Sequence, residues 1–235
     1  MTQITDHIAE TLERVRFAQS AAGRAAAEVT VLAVSKQQPV EAIRAAYQAG
    51  LRHFGENFFQ EAAVKLAELE SLDITWHFIG RIQSNKTREI AQMFQWVHTV
   101  DRLKIATRLN DQRPHFSPPL NVCIQVNQAG EPQKGGVEES EVTDLARAVM
   151  SLPRLRLRGL MTLPPATPDP ETNAPLFARL NSLKAGLIEA GIPLDTLSMG
   201  MSADLEAAIE QGSTIVRIGT AIFGPRQRTR SGRTS

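Results

Sequence analysis

Eight short apolar runs rich in β-branched residues recur along the 235-residue chain, with stretches of helical periodicity between them. The runs lie at 29–35, 51–55, 74–79, 96–100, 120–126, 157–162, 196–199 and 214–218. The helical stretches lie near 40–49, 57–70, 86–93, 101–112, 138–151, 174–190 and 203–211, the last stopping at Gly212. Strands that alternate with helices pair in parallel, because each helix carries the chain back to the edge where the previous strand began. Eight such units predict one α/β domain, a single (β/α)8 TIM barrel, with an open doubly wound sheet as the alternative. A further helix precedes the first strand: Ile4, Ile8, Leu12, Val15 and Ala22 share one face, and Gly23 is its stop signal. It is expected to cover one end of the sheet.

No linker marks a domain boundary, so the barrel is expected to span 1–225. The Pro-rich stretch 163–170 reads as a long loop after strand six. Residues 226–235 begin Arg226-Gln227-Arg228-Thr229-Arg230 and read as a basic, disordered, solvated tail. With 26 Lys and Arg against 25 Asp and Glu, the chain carries no net field that would recruit nucleic acid or an anionic membrane. Its single cysteine, Cys123, lies within an apolar strand and reads as a buried, inert thiol. The N-terminus has no secretory pattern, and no stretch is apolar over a membrane's thickness, so a soluble cytoplasmic protein is expected.

Lys36, one of six lysines, ends the first apolar run at Val34-Ser35-Lys36, just before Pro39. In α/β barrels the chemistry sits at the carboxyl ends of the strands. An amine drawn out of water there loses part of its ammonium character and can attack a carbonyl to form a Schiff base. A lysine at a strand end can also simply extend its head to solvent.

Barrels commonly hold phosphate on the loops after strands seven and eight. After strand seven stands Ser198-Met199-Gly200-Met201-Ser202, where Gly200 permits close backbone approach and Ser202 can cap the following helix. After strand eight, Gly219 and Thr220 offer backbone N–H groups and a hydroxyl. Ser202 and these glycines are equally ordinary as a helix cap and turns. Taken together, a strand-one amine and a phosphate cup describe the two ends of pyridoxal 5'-phosphate. Arg217, inside the last strand, could meet the pyridine nitrogen, or form a structural ion pair. An arginine keeps its protons, so a pyridine nitrogen facing it stays unprotonated and serves poorly as an electron sink.

Leu32-Ala33-Val34-Ser35-Lys36, Phe54-Gly55-Glu56-Asn57, Trp76-His77-Phe78-Ile79-Gly80, His98-Thr99-Val100-Asp101-Arg102, Gly159-Leu160-Met161 and the segment from Ser198 to Gly224 resemble the pyridoxal phosphate homeostasis protein family over nearly the whole chain. That family is similar to the N-terminal barrel domain of alanine racemase. The resemblance implies a cofactor Schiff base at Lys36, phosphate on Ser202, Gly219 and Thr220, Arg217 at the ring nitrogen, and Asn57 and Met199 near the cofactor. Two features depart from the family pattern: Gln37-Gln38 follow the lysine, and Phe58 replaces a tyrosine after Glu56-Asn57. Glu131, Lys134 and Gly136 match the family spacing, which makes Lys134 a candidate secondary amine beside its plainer reading as a solvated loop lysine.

His53, His77 and His98 fall on strands two, three and four, but their spacing matches no metal motif, and no metal is expected. Two-base racemisation needs an acid–base group on each face of the cofactor, and Lys36 supplies one. The only tyrosine, Tyr47, lies in a helical stretch, and the chain stops just after strand eight without the second domain of a racemase. A non-catalytic carrier of pyridoxal phosphate is therefore expected, with apo forms of pyridoxal-phosphate enzymes and amino acids (by transimination) as partners. A weak amino-acid racemase and a class I Schiff-base aldolase are the rival readings.

Overall fold

The computed structural model describes residues 2–26, 28–131, 134–165 and 169–224. Eight parallel strands close into one barrel in sequence order: β1 (Thr30–Val34), β2 (His53–Glu56), β3 (Thr75–Phe78), β4 (Trp96–Val100), β5 (Leu120–Val126), β6 (Leu155–Thr162), β7 (Thr196–Met201) and β8 (Ile215–Ile218). Closure is made by β8 on β1, with Leu32 opposite Arg217 and Ala33 opposite Ile218. This excludes the open doubly wound sheet. Each apolar run forms a strand because it is buried on both faces, as the uninterrupted burial of β8 shows.

The outer ring comprises α2 (Val40–Gln48), α3 (Phe59–Glu68), α4 (Thr87–Met93), α5 (Leu103–Gln112), α6 (Val142–Met150), α7 (Ala174–Glu189) and α8 (Leu205–Glu210). Their apolar stripes pack on Val31, Ala33, Phe54, Val97, Val216 and Ile218, the outward members of the strands. The alternate members point inward, where Leu32, Ile79 and Ile215 form a small apolar cluster of their own. Val34 and Trp96 pack against it, and His53, His77, His98, Ser198 and Arg217 add a polar part to the interior.

The first helix, α1 (Thr2–Ala21), departs from expectation in its position. It packs against α2, α8 and the short terminal helix α9 (Thr220–Phe223), and so covers the seam where β8 meets β1 instead of closing an end of the sheet. A polar clasp fixes it there: Arg14 bonds both carboxylate oxygens of Glu206, at 2.8 and 2.9 Å, and the Ser202 carbonyl at 3.2 Å. Gly23 adopts φ 66° just beyond the helix, the left-handed stop that glycine tolerates. The tail at 226–235 and residues 166–168 of the Pro-rich loop lie outside the described residues. Among the described residues no helix is long and apolar enough to cross a membrane.

Candidate functional site

Beyond Val34 the chain turns over the barrel mouth through Ser35, Lys36, Gln37 and Gln38, and the Gln38 N–H closes the turn on the Ser35 carbonyl at 3.0 Å. Gln37 takes φ 60°, a left-handed conformation uncommon for a residue with a side chain. The turn is held from below by a buried ionic cluster. Ser35 Oγ donates to Glu56 Oε1 at 2.5 Å. Lys65 Nζ donates to the Ser35 carbonyl at 2.7 Å, to Glu56 Oε1 at 2.9 Å and to Glu61 Oε1 at 2.5 Å. Glu61 also accepts the Gln37 N–H.

Glu56 is fully buried, and burial pushes its carboxyl above the usual range against the pull of Lys65 and Ser35. Both backbone neighbours of Lys36 are thereby fixed, while Lys36 itself lies half-buried at the mouth. This cluster is not legible in the sequence. A lysine on an amphipathic helix reads as a surface residue, and the only available signal was a glutamate closing the apolar strand β2.

Parallel closure brings the other expected residues to the same end of the barrel. Asn57 follows β2, Ser202 follows β7, and Gly219 and Thr220 follow β8, each at a carboxyl end. The Ala221 N–H donates to Ser202 Oγ at 3.4 Å, so the two loops expected to form one cup do meet. Gly219 sits at the head of α9, where helix geometry leaves the first N–H groups without intrahelical acceptors. Ser202 does not cap the helix that follows it. That helix begins after Asp204, whose carboxylate accepts the Met201 N–H at 2.6 Å and the Asn173 amide at 2.9 Å. Gly200 has φ 89°, and a Cβ there would lie 2.5 Å from the Ala208 Cβ, so α8 packs against a bare backbone. Asn57 Oδ1 is buried, and among the described residues nothing donates to it.

Arg217 is 4% exposed and points into the barrel. Its guanidinium donates to the Ser198 carbonyl at 2.6 Å, to Ser198 Oγ at 3.0 Å and to the Thr162 carbonyl at 2.9 Å. Among the described residues it has no carboxylate partner within ion-pair distance, so the structural ion pair is not what holds it. Burial lowers its pKa to about 10, which leaves it charged at neutral pH. Next to Ser198 stands His98, the last of three histidines in contact with one another rather than around an ion. Among the described residues no group of His, Cys, Asp or Glu is arranged to hold a metal.

The structure places further residues named from the sequence. Met199 is fully buried in the apolar layer shared by strands and helices, and its side chain is no part of the polar set at the mouth. Lys134 donates to Glu131 at 3.2 Å and to the Pro164 carbonyl at 2.9 Å, tying the loop after β5 to the loop after β6. Phe58 is exposed, just before α3. Cys123 is buried, and its thiol is pushed up to about 12, out of nucleophilic range.

Residues 9–227 match the family described as the alanine racemase N-terminal domain. A Pseudomonas aeruginosa pyridoxal phosphate homeostasis protein is 57% identical over 96% of this chain and 97% of its own. The chain belongs to this family. PipY of Synechococcus elongatus, solved with pyridoxal phosphate bound, superposes with a TM-score of 0.82 at 36% identity, covering 94% of this chain and all of PipY. Alanine racemase of Corynebacterium glutamicum shares the fold, with a TM-score of 0.69 at 16% identity, over 94% of this chain and 61% of the racemase. The relatives at high identity are named for homeostasis of the cofactor, and the racemase is distant.

Proposed function

We propose that this family member binds pyridoxal phosphate at the barrel mouth and serves in cytoplasmic pyridoxal phosphate homeostasis, holding the cofactor as a Schiff base on Lys36 and buffering or delivering it. The observation that carries this reading is the clamped turn at Ser35–Gln37, which spends a buried ion cluster and a left-handed glutamine on the placement of one lysine. The remaining groups fit the same ligand. Ser202, Gly219 and Thr220 would receive its phosphate, Arg217 would donate to its ring nitrogen, and the orphaned Asn57 Oδ1 is a buried acceptor at the mouth suited to a ligand hydroxyl.

Bound there, the cofactor supplies an aldehyde carbon that joins reversibly to amines. Arg217 keeps its protons and so leaves the ring nitrogen unprotonated, which disfavours carbanion chemistry. No tyrosine opposes Lys36: Tyr47, the only one in the chain, lies on α2 with the Arg52 guanidinium 4.0 Å above its ring. A free amino acid can displace Lys36 by transimination, and an apoenzyme lysine can accept the cofactor in the same way.

Solvent deuterium incorporation at the α-carbon, over a panel of amino acids, tests the carrier reading. The expected result is a spectral change on adding amino acids with little α-exchange, and slow transfer of cofactor to an apoenzyme. Exchange at about one per second or faster would instead establish a racemase.

A further inference from the structure

Three histidines line up across the barrel interior behind Ser198, whose hydroxyl accepts from Arg217. His53 Nδ1 lies 3.0 Å from His77 Nε2, His77 Nδ1 lies 2.9 Å from His98 Nε2, and His98 Nδ1 lies 2.8 Å from Ser198 Oγ. They come from β2, β3, β4 and β7, so the line runs from half-buried His53, at the amino-terminal end of its strand, to the serine that accepts from Arg217. His77 is held in plane by Trp96, stacked on it with centroids 5.4 Å apart and an interplanar angle of 11°.

The direction of this line follows from its inner end. Arg217 can only donate, and it occupies one acceptor position of Ser198 Oγ. Among the described residues His98 Nδ1 is then the one acceptor bonded to that serine's hydroxyl proton. A proton on His98 Nδ1 would strand the hydroxyl proton in a fully buried site, where an unmade bond is costly. His98 therefore carries its proton on Nε2 and donates to His77 Nδ1. By the same step His77 carries its proton on Nε2 and donates to His53 Nδ1. Burial holds His77 well below its ordinary pKa and His98 at about 3, so both rings stay neutral, as a chain with one proton per ring requires.

We propose that His53, His77, His98 and Ser198 are positioning residues, forming a one-way hydrogen-bond chain that orients Arg217 toward the ring nitrogen of the bound cofactor. This rests on the pyridoxal phosphate reading of Arg217. Each donor along the chain polarises the next, which makes Ser198 Oγ a stronger acceptor for the guanidinium. The three carbonyl and hydroxyl contacts then fix the plane of Arg217 without a carboxylate.

Histidine-ring nitrogen–proton correlation NMR of the 15N-labelled, cofactor-free full chain at pH 7 reads the tautomers directly. The expected result is Nε2–H at both His77 and His98; Nδ1–H or a doubly protonated ring at either would overturn the chain. In protein loaded with pyridoxal phosphate, Ser198→Ala should shift the cofactor absorption maximum and speed cofactor release by roughly threefold to tenfold. Ser198→Thr, which keeps the hydroxyl, should return the spectrum toward wild type. An unchanged spectrum in Ser198→Ala would overturn the positioning role. Should that variant not fold, His53→Ala at the outer end should still move the ring nitrogen shifts of His98 two links away, and unmoved shifts would count against the chain. If the wild-type protein takes up no pyridoxal phosphate, the functional reading fails, and the tautomers alone decide whether the chain is one-way.

Discussion

Lys65 reaches from α3 beneath the barrel mouth and bonds the carbonyl of Ser35, the residue before Lys36, at 2.7 Å. The same ammonium is paired with Glu56, and both side chains are more than nine-tenths buried. A buried pair of this kind is a weak source of net stability, but breaking it from one side is expensive. Its use here is geometric, because it anchors the turn that carries Lys36.

Lys65→Met should therefore destabilise the fold by about 3–5 kcal/mol, since it leaves Glu56 buried without its cation. The double variant Glu56→Gln/Lys65→Met should recover most of that loss, because neither ion is then stranded. Urea unfolding checks both. Attachment of pyridoxal phosphate should be slower in either variant than in wild type, and an unchanged attachment rate would separate the cluster from the placement of Lys36.

Ser202→Ala removes a hydroxyl from the place where the loops after β7 and β8 meet. A hydrogen bond to a charged phosphate is worth about 1.5–3 kcal/mol, or roughly tenfold to a hundredfold in affinity. Equilibrium dialysis should show that loss with little change in thermal stability. Equal affinity would remove Ser202 from the phosphate site.

The buried histidines set an acid limit on stability. His98 has a folded pKa of about 3 against 6.5 for an ordinary histidine, so between those values the unfolded chain binds the extra proton. Its contribution is complete above pH 6.5 and is lost as pH falls toward 3, by about 1.4 kcal/mol per pH unit. His77 acts in the same direction. Glu56, raised by burial, acts oppositely, costing stability as pH rises through its raised folded pKa. Between pH 6.5 and 5 the histidine effect should dominate, and His98→Gln should flatten the slope of unfolding free energy against pH. Parallel slopes in the two proteins would contradict the buried neutral ring.

Much of this architecture is legible in the sequence. Eight doubly buried strands leave eight apolar runs, and a lysine ending the first run can only reach the carboxyl end of the barrel. Boundaries shifted modestly: β6 begins at Leu155 instead of 157, and α8 begins at Leu205 instead of 203. The four-residue α9 is too short to show a period. What stayed hidden depends on relations between elements. His53, His77 and His98 meet because barrel stagger sets three neighbouring strands at matching heights, which no single strand encodes. The Glu56–Lys65 pair is likewise tertiary, as are the contacts with α2, α8 and α9 that hold α1 on the β8–β1 seam.

One amine, Lys36, is expected to carry the cofactor. Borohydride reduction of the protein incubated with pyridoxal phosphate, followed by mass mapping of its peptides, identifies that amine. The expected result is a yellow protein whose reduced pyridoxyl group sits on the peptide containing Lys36, and whose Lys36→Ala variant loses the covalent label while retaining weak phosphate-dependent binding. A label found on Lys134 or another lysine, or a protein that gains no absorbance band with pyridoxal phosphate, would contradict it.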